Sequence, residues 1–244
     1  MVIIDAHCHL SSRMGGGDAS DLIKAMDLAG IAKAIVFGIG DNNLVEESVQ
    51  KYPGRFYPFY YFNPKYEEIQ LPMLEAYAKK GWKGVKVGHE YTAAPAMYLM
   101  MEVAEKYDMI YVHHSGGGNK FSPYMIGELA SSFPKVKTVI LHMGGGMGLD
   151  VELVSTKVAE KNPNVYLETC YAHPYAIKQA VERLGADRVL FGSDASNAGY
   201  ADHYEKPGEY QKIHLDAVRL IGLPKVQEDL VLGGAAAKML GVDA

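Results

Sequence analysis

The sequence predicts a single α/β domain built as a barrel of eight parallel strands with helices between them. The chain has 244 residues, which is the usual size of one such barrel. Short β-rich runs alternate with helical patterns along its whole length. The β-rich runs are mostly continuous apolar segments, as strands of a buried parallel sheet are. A doubly wound open sheet is the alternative, but that fold usually has fewer strands.

Eight segments are predicted to be strands because they are short, apolar and rich in β-branched or aromatic residues. They span residues 2–5, 34–37, 55–61, 84–87, 109–113, 138–141, 165–168 and 189–191. One domain is expected to cover residues 1–244, because the first strand starts near the N-terminus and little chain follows the last one. We therefore expect no additional β-sandwich.

Helical patterns lie between most of these strands. The first, at residues 18–29, has a polar Asp-Ala-Ser-Asp start followed by an apolar face. Similar patterns cover residues 66–80, 97–107, 123–133, 151–161 and 175–184. After the eighth strand, the Gly-Leu-Pro break at 222–224 separates two closing helices, at residues 207–221 and 225–240.

The overall composition of the chain excludes several classes of function. The net charge is −5 without any basic block, which argues against a nucleic-acid partner. No apolar run approaches the length of a membrane span, and no leader pattern precedes the first strand, so a cytoplasmic location is expected. Cys8 and Cys170 do not form a disulfide framework. The expected partner is a small-molecule substrate, and a homodimer stays open.

The triplet His7-Cys8-His9 follows the first apolar run. Side chains alternate along a strand, so both imidazoles are expected on one face and Cys8 on the other, as a packed small hydrophobe. Asp5 is expected on the same face as His7. Two imidazoles on one face, two residues apart, can bind one metal ion.

Three later strand ends also finish in residues that bind metals: His113-His114, His142 and Asp194. In a barrel the carboxyl ends of all strands open onto one face, where active sites lie. Several imidazoles with one carboxylate suit zinc, iron, manganese or nickel. The sequence therefore predicts a metal-dependent enzyme. Alternation does not decide between His113 and His114, because neither face of that strand is polar.

Five ordered stretches resemble the amidohydrolase superfamily, in particular its amidohydrolase-related branch of metal-dependent TIM-barrel hydrolases and decarboxylases. They are residues 4–10, 83–87, 109–116, 141–145 and 190–194, and they run across nearly the whole chain in the family's order. The family's fifth strand ends in His, a small residue and Gly. His114-Ser115-Gly116 matches this pattern, which favours His114 as the ligand and leaves His113 as the fallback.

This resemblance implies roles for the strand-end residues. His7, His9 and His114 would hold a divalent metal, with Asp194 as a further ligand. Zinc is expected first, with manganese, iron or nickel as alternatives, and one ion per chain is favoured over two. The metal would activate a water molecule, whose proton Asp194 would take and pass to the leaving group. His142 would bind a second metal or polarise the substrate.

Lys86 ends the fourth strand, where some superfamily members carry a carboxylated lysine that bridges two metals. The favoured role here is a buried charge that pairs with Asp194 or binds an anionic substrate, with a bridging role in a two-metal site as the alternative. Weaker candidates for substrate contact are Arg13, His113, Tyr171 and Asn197. For each of these, an ordinary loop position is an equal expectation.

The leading functional hypothesis is hydrolysis of a C–N or C–O bond in a small amide, cyclic amide or lactone. The same branch contains nonoxidative decarboxylases of aromatic or unsaturated acids, and their metal ligands look the same. A metal-dependent phosphoesterase is less favoured, because the chain lacks the Asp-x-His that this class usually has near its C-terminus. A non-catalytic scaffold is disfavoured because the ligand-type positions are all present.

Overall fold

The computed structural model describes residues 1–10, 19–88, 94–115, 122–145, 149–195 and 206–243. Its eight strands form one sheet in the order β1 to β8, and each strand pairs in parallel with the next. The strands are β1 (Ile4–Leu10), β2 (Lys33–Gly38), β3 (Phe56–Phe62), β4 (Gly84–Val87), β5 (Ile110–His113), β6 (Thr138–Ile140), β7 (Val165–Glu168) and β8 (Val189–Leu190). The predicted (β/α)₈ barrel is therefore confirmed.

The barrel is closed by backbone contacts between β1 and the segment that follows β8. The Ala6 N–H donates to the Phe191 carbonyl at 2.9 Å, and the His9 N–H donates to the Ala195 carbonyl at 2.9 Å. Cys8 and Ala195 also form a parallel bridge. These contacts hold residues 191–195 beside β1, so that side chains after β8 lie next to the histidines of the first strand.

Helices connect the strands on the outside of the barrel. They are α1 (Ala19–Ala29), α2 (Asn42–Lys51), α3 (Glu67–Lys79), α4 (Ala94–Lys106), α5 (Pro123–Ser132), α6 (Leu149–Lys161), α7 (Pro174–Leu184), α8 (Glu209–Arg219), α9 (Lys225–Asp229) and α10 (Ala235–Leu240). The predicted helix at 225–240 is divided, because a π turn at Leu230–Gly234 joins α9 to α10. Within the described ranges, no helix combines the length and hydropathy needed to cross a bilayer.

Helix α2 was not expected from the sequence. Only Val45 and Ser48 of this helix are buried, and most of its side chains are polar, so its apolar face is narrow. Its start is nevertheless well defined, because the Asp41 carboxylate accepts a hydrogen bond from the Leu44 N–H at 3.1 Å. Capping and packing against β2 and β3 thus stabilise a helix that periodicity alone does not reveal.

Two hydrophobic clusters divide the interior of the barrel from its outer layer. The outer cluster joins one face of the strands to the helices, and Cys8 belongs to it, as predicted. The inner cluster contains the alternate strand residues, among them Phe37, Phe59 and Val112. The small side chains of α10 join this inner cluster near Ile4, so the last helix fills the end of the barrel where the strands begin.

The first strand contains an irregularity that changes the expected position of Asp5. Asp5 pairs with Ala34, but Cys8 pairs with Val36, so β1 has one extra residue between them. The Asp5 carboxylate accepts hydrogen bonds from the backbone and hydroxyl of Ser193 and interacts with the Cys8 thiol. The expectation that Asp5 shares the face of His7 is therefore wrong, because the bulge breaks the alternation on which it rested.

Candidate metal centre

Five buried polar side chains meet at the carboxyl ends of four strands. His7 and His9 lie on β1, His142 follows β6, Glu168 ends β7 and Asp194 follows β8. Burial of so many ionisable groups is costly unless they pair with one another or bind an ion. The arrangement is therefore a candidate site rather than part of the apolar core.

Three of these side chains direct one ligand atom each to a common point. The Nε2 atoms of His7 and His9 are 3.1 Å apart. Asp194 Oδ1 lies 2.9 Å from each of them. Ligand atoms bound to one zinc ion at about 2.0–2.2 Å are separated by about 3–3.5 Å. The spacing and the chemistry of this triad fit one divalent transition-metal ion.

Glu168 is a member of the cluster that sequence analysis missed. Its Oε2 accepts hydrogen bonds from His7 Nδ1 at 3.1 Å and from the His142 backbone N–H at 2.9 Å. Because Nδ1 donates to Glu168, His7 can direct the lone pair of Nε2 toward the triad once a cation replaces the Nε2 proton. A Cβ at Gly192 would lie 2.3 Å from Glu168 Oε1, so this glycine leaves room for the carboxylate.

The two carboxylates favour positive charge at the centre of the cluster. Burial lowers the pKa of His7, but the Asp194 and Glu168 carboxylates outweigh burial and raise this pKa to about 9. Burial raises the pKa of Asp194, yet the two histidines hold it well below its ordinary value. Burial also raises the pKa of Glu168, but the hydrogen bond to His7 and the charge of that ring outweigh burial and lower this pKa. The negative electrostatic potential of the two carboxylates therefore favours a bound cation.

The other two histidines are neutral at neutral pH. Burial lowers the pKa of His9 to about 4. Burial and then the positive charge of His7 lower the pKa of His142 to about 4. Neutral imidazole is the form that binds metals. The Nδ1 atoms of His9 and His142 are buried and have no hydrogen-bond partner among the described residues.

Backbone strain accumulates around the same strand ends. His142, Tyr171 and Asp194 have φ values of 57°, 59° and 57°. Residues other than glycine rarely adopt positive φ, and such positions concentrate at functional sites. The left-handed conformation at His142 and Asp194 turns the chain sharply where two of the buried polar side chains leave the strands.

His114 lies against His142, while His113 does not. The His114 Nδ1 is 3.2 Å from His142 Nε2, and the two ring centroids are 4.9 Å apart. His113 instead packs its ring against Tyr111, a residue of the outer layer, with 5.8 Å between centroids. In the part of the chain that the structure describes, the tight groups of candidate ligand atoms include His7, His9 and Asp194 but not His114.

The remaining candidates occupy different positions. Lys86 is buried, its Nζ lies 5.2 Å from the centroid of the Phe37 ring, and its charge contributes to the low pKa of His9 and His142. Tyr171 is 40% exposed, and its ring centroid is 5.6 Å from that of His142. Arg13 and Asn197 lie outside the described residues.

Comparison with known proteins identifies relatives of this fold and sequence. A family model described as amidohydrolase matches residues 4–242. No curated protein sequence matches the chain significantly.

Solved structures resemble the chain over nearly its whole length. A probable 2-pyrone-4,6-dicarboxylic acid hydrolase from Acinetobacter baumannii, with citric acid bound, has a TM-score of 0.70 at 17% identity and covers 99% of this chain and 100% of its own. A 4-oxalomesaconate hydratase from Rhodopseudomonas palustris has a TM-score of 0.64 at 15% identity, and the match covers 98% of this chain and 96% of the hydratase. An organophosphorus hydrolase from Deinococcus radiodurans has a TM-score of 0.67 at 12% identity, and the match covers 98% of this chain and 92% of that hydrolase. At such low identity the likeness concerns the fold.

Proposed function

The chain belongs to the amidohydrolase family, and we propose that it is a metal-dependent hydrolase of a small organic substrate. The proposed reaction is cleavage of a C–N or C–O bond in an amide, cyclic amide or lactone. The observation that carries the proposal is the triad of His7 Nε2, His9 Nε2 and Asp194 Oδ1, whose mutual distances are 2.9–3.1 Å.

The residues that would hold the cation are His7, His9 and Asp194, with His114 as the further ligand suggested by the family motif. Zinc is the first expectation. When bound, a divalent cation lowers the pKa of a coordinated water toward neutrality and so supplies a nucleophile at neutral pH. Glu168 keeps the His7 ring oriented, because its carboxylate accepts the Nδ1 proton.

Hydrolysis requires a proton to move from the attacking water to the leaving nitrogen or oxygen. Asp194 is the proposed carrier, because its buried carboxylate is ionised at neutral pH and lies beside both histidine Nε2 atoms. His142 is neutral, so its ring can donate a hydrogen bond to a substrate oxygen or bind a cation. Tyr171 lies beside His142 and is partly exposed, so substrate would approach the site from this side.

The first test combines metal content with a substrate panel. Protein purified without chelators or a histidine tag is analysed for metals and then assayed with lactones, amides and carboxylic acids, including pyrone dicarboxylates because one structural neighbour is named for that substrate. We expect about one transition metal per chain, with acid release in a pH-stat from lactones, and with a carboxylate and an amine as products from amides. Carbon dioxide release without a hydrolysis product would favour a decarboxylase instead. Absence of bound metal after incubation with zinc and manganese would contradict the proposal.

Substitution of the proposed proton carrier gives a second test. Asp194→Asn is expected to reduce kcat by about 10²–10⁴-fold, because the amide can neither accept the proton nor neutralise the cation as a carboxylate does. His142→Asn is also expected to lose most turnover. The control is Asp216→Asn, an exposed carboxylate on α8 that pairs with Arg219. Circular dichroism checks that each variant folds, and wild-type rates in both site variants would exclude the mechanism.

A further inference from the structure

A second group of candidate ligands lies beside the first and shares one residue with it. His142, Cys170 and Asp194 each offer a ligand atom, these atoms lie within 4.8 Å of one another, and all three residues are buried. A thiolate, an imidazole and a carboxylate form a ligand set suited to borderline-soft divalent cations such as zinc and cobalt. Neither the sequence motifs nor the proposed hydrolysis uses Cys170.

The two cysteines of the chain have different surroundings. The Cys8 thiol lies in the outer layer and hydrogen-bonds to the Asp5 carboxylate. Among the described residues, the Cys170 thiol has no such hydrogen bond, although the carboxylates of Glu168 and Asp194 are close enough to influence it. Cys170 is therefore the cysteine whose thiol lies beside the cluster and makes no hydrogen bond to another described residue.

His142 also has a ring nitrogen without a hydrogen bond to a described residue, and this Nδ1 atom lies 3.9 Å from Glu168 Oε2. The atom is fully buried. Leaving a buried ring nitrogen unpaired costs about 1–3 kcal/mol, so such an atom calls for an explanation. A cation bound by this imidazole would remove the cost.

A third group, His7, His142 and Glu168, is also close enough to hold an ion, but the ligand atoms of His7 and Glu168 are already engaged. Glu168 Oε2 accepts hydrogen bonds from His7 Nδ1 and from the His142 backbone. His7 Nε2 belongs to the first triad. The group that contains Cys170 is therefore the better second position.

We propose that His142, Cys170 and Asp194 form a second cation position beside the first, in which Cys170 binds as a thiolate. This inference rests on the proposed function, since Asp194 serves both positions, but it adds a soft ligand and a second ion to the single cation expected from the sequence. On binding, the S–H bond breaks, a sulfur–metal bond forms, and the proton passes to solvent. The site would thereby favour thiophilic cations over magnesium or calcium.

Cobalt(II) titration of the metal-free protein separates the two positions. Cobalt bound by histidine and carboxylate gives visible ligand-field bands, whereas a thiolate ligand adds an intense charge-transfer band in the near ultraviolet. The variants are Cys170→Ser and, as matched control, Cys8→Ser, which keeps a donor for Asp5. In the wild type and in Cys8→Ser, we expect the charge-transfer band to grow with the second equivalent of cobalt. In Cys170→Ser, we expect the visible bands and the first equivalent to remain, and the charge-transfer band and the second equivalent to be lost.

The outcomes distinguish this inference from the proposed function. Visible bands without any charge-transfer band in the wild type would overturn the role of Cys170 and leave the first position intact. Loss of the charge-transfer band in Cys8→Ser, or a second equivalent retained by Cys170→Ser, would also overturn it. If the wild type binds no cobalt, both proposals fall. If Cys170→Ser does not fold, Cys170→Ala provides the same comparison.

Discussion

At the scale of single residues, the cluster is organised by a carboxylate that does not touch the proposed cation. Glu168 accepts hydrogen bonds from the His7 ring and from the backbone of His142, so it orients one proposed ligand and fixes the turn that carries a second. Its signal in the sequence is modest: one charged residue at the end of the apolar run Val-Tyr-Leu-Glu. The hydrogen bond to His7 spans 161 positions, which explains why local patterns did not reveal it.

Glu168→Gln is expected to weaken binding of the first cation by about 10–100-fold, because the neutral amide holds the His7 tautomer less firmly and removes negative charge. Competition with a chromophoric chelator measures this affinity. The matched control is Glu152→Gln, since Glu152 is another buried glutamate, which accepts a hydrogen bond from the His173 N–H at 3.0 Å and belongs to none of the candidate ligand groups. Unchanged affinity in Glu168→Gln, or an equal loss in the control, would refute this role.

At the scale of secondary-structure elements, irregular backbone is concentrated where strands and helices must approach closely. The π turn between α9 and α10 lies against the start of β1 and accepts a hydrogen bond from the Phe191 N–H through Val231. The two consecutive glycines of this turn face different surroundings. A Cβ at Gly233 would lie 2.1 Å from the Val2 carbonyl oxygen, whereas the atom nearest to a Cβ at Gly234 would be the flexible end of Leu230, at 3.1 Å.

Gly233→Ala is therefore expected to lower the free energy of unfolding by about 1–3 kcal/mol, because backbone rather than a movable side chain must shift. Gly234→Ala should change it by less than about 1 kcal/mol, since alanine favours helical backbone and Leu230 can adjust. Urea unfolding followed by circular dichroism compares the two. Equal stability of both variants would show that the approach of this turn to β1 does not constrain the chain.

At the scale of the whole molecule, the site exists because the barrel closes. His7 and His9 lie on the first strand and Asp194 follows the last, and the backbone hydrogen bonds from Ala6 and His9 bring the two ends of the sheet together. The contact between β1 and the segment after β8 is the seam of the barrel. A cation bound across this seam would stabilise the folded barrel, because the unfolded chain cannot present the three ligand atoms together.

Zinc at about 100 times its Kd is expected to add about 2.7 kcal/mol to the free energy of unfolding. For a chain of this size, that corresponds to a Tm increase of about 5–10 °C. Differential scanning calorimetry measures the shift, and Asp194→Asn should lose most of it, whereas Asp216→Asn should retain it. Magnesium serves as the control cation, because it prefers oxygen ligands. The same Tm with and without zinc in the wild-type protein would contradict a cation site at the seam.

Much of the fold was predictable because its signals are local. Apolar runs and helical periodicity located all eight strands, although β1 extends farther than expected, through Leu10, and β8 is shorter. Helix α2 escaped detection because few of its residues are buried. Asp5 was assigned to the wrong face because alternation assumes regular pairing, and a bulge in β1 breaks it.

The barrel, the family and the residue types at the strand ends could be inferred from the sequence, because these depend on composition and on patterns within a few neighbouring positions. The folded structure was needed to show that His114 rather than His113 faces His142, that Glu168 orients His7, and that Cys170 lies beside Asp194. Each of these depends on strand register, on turns with positive φ and on closure of β8 against β1. Contacts between residues far apart in the chain leave no periodic trace in a single sequence, so they appear only when the barrel is formed.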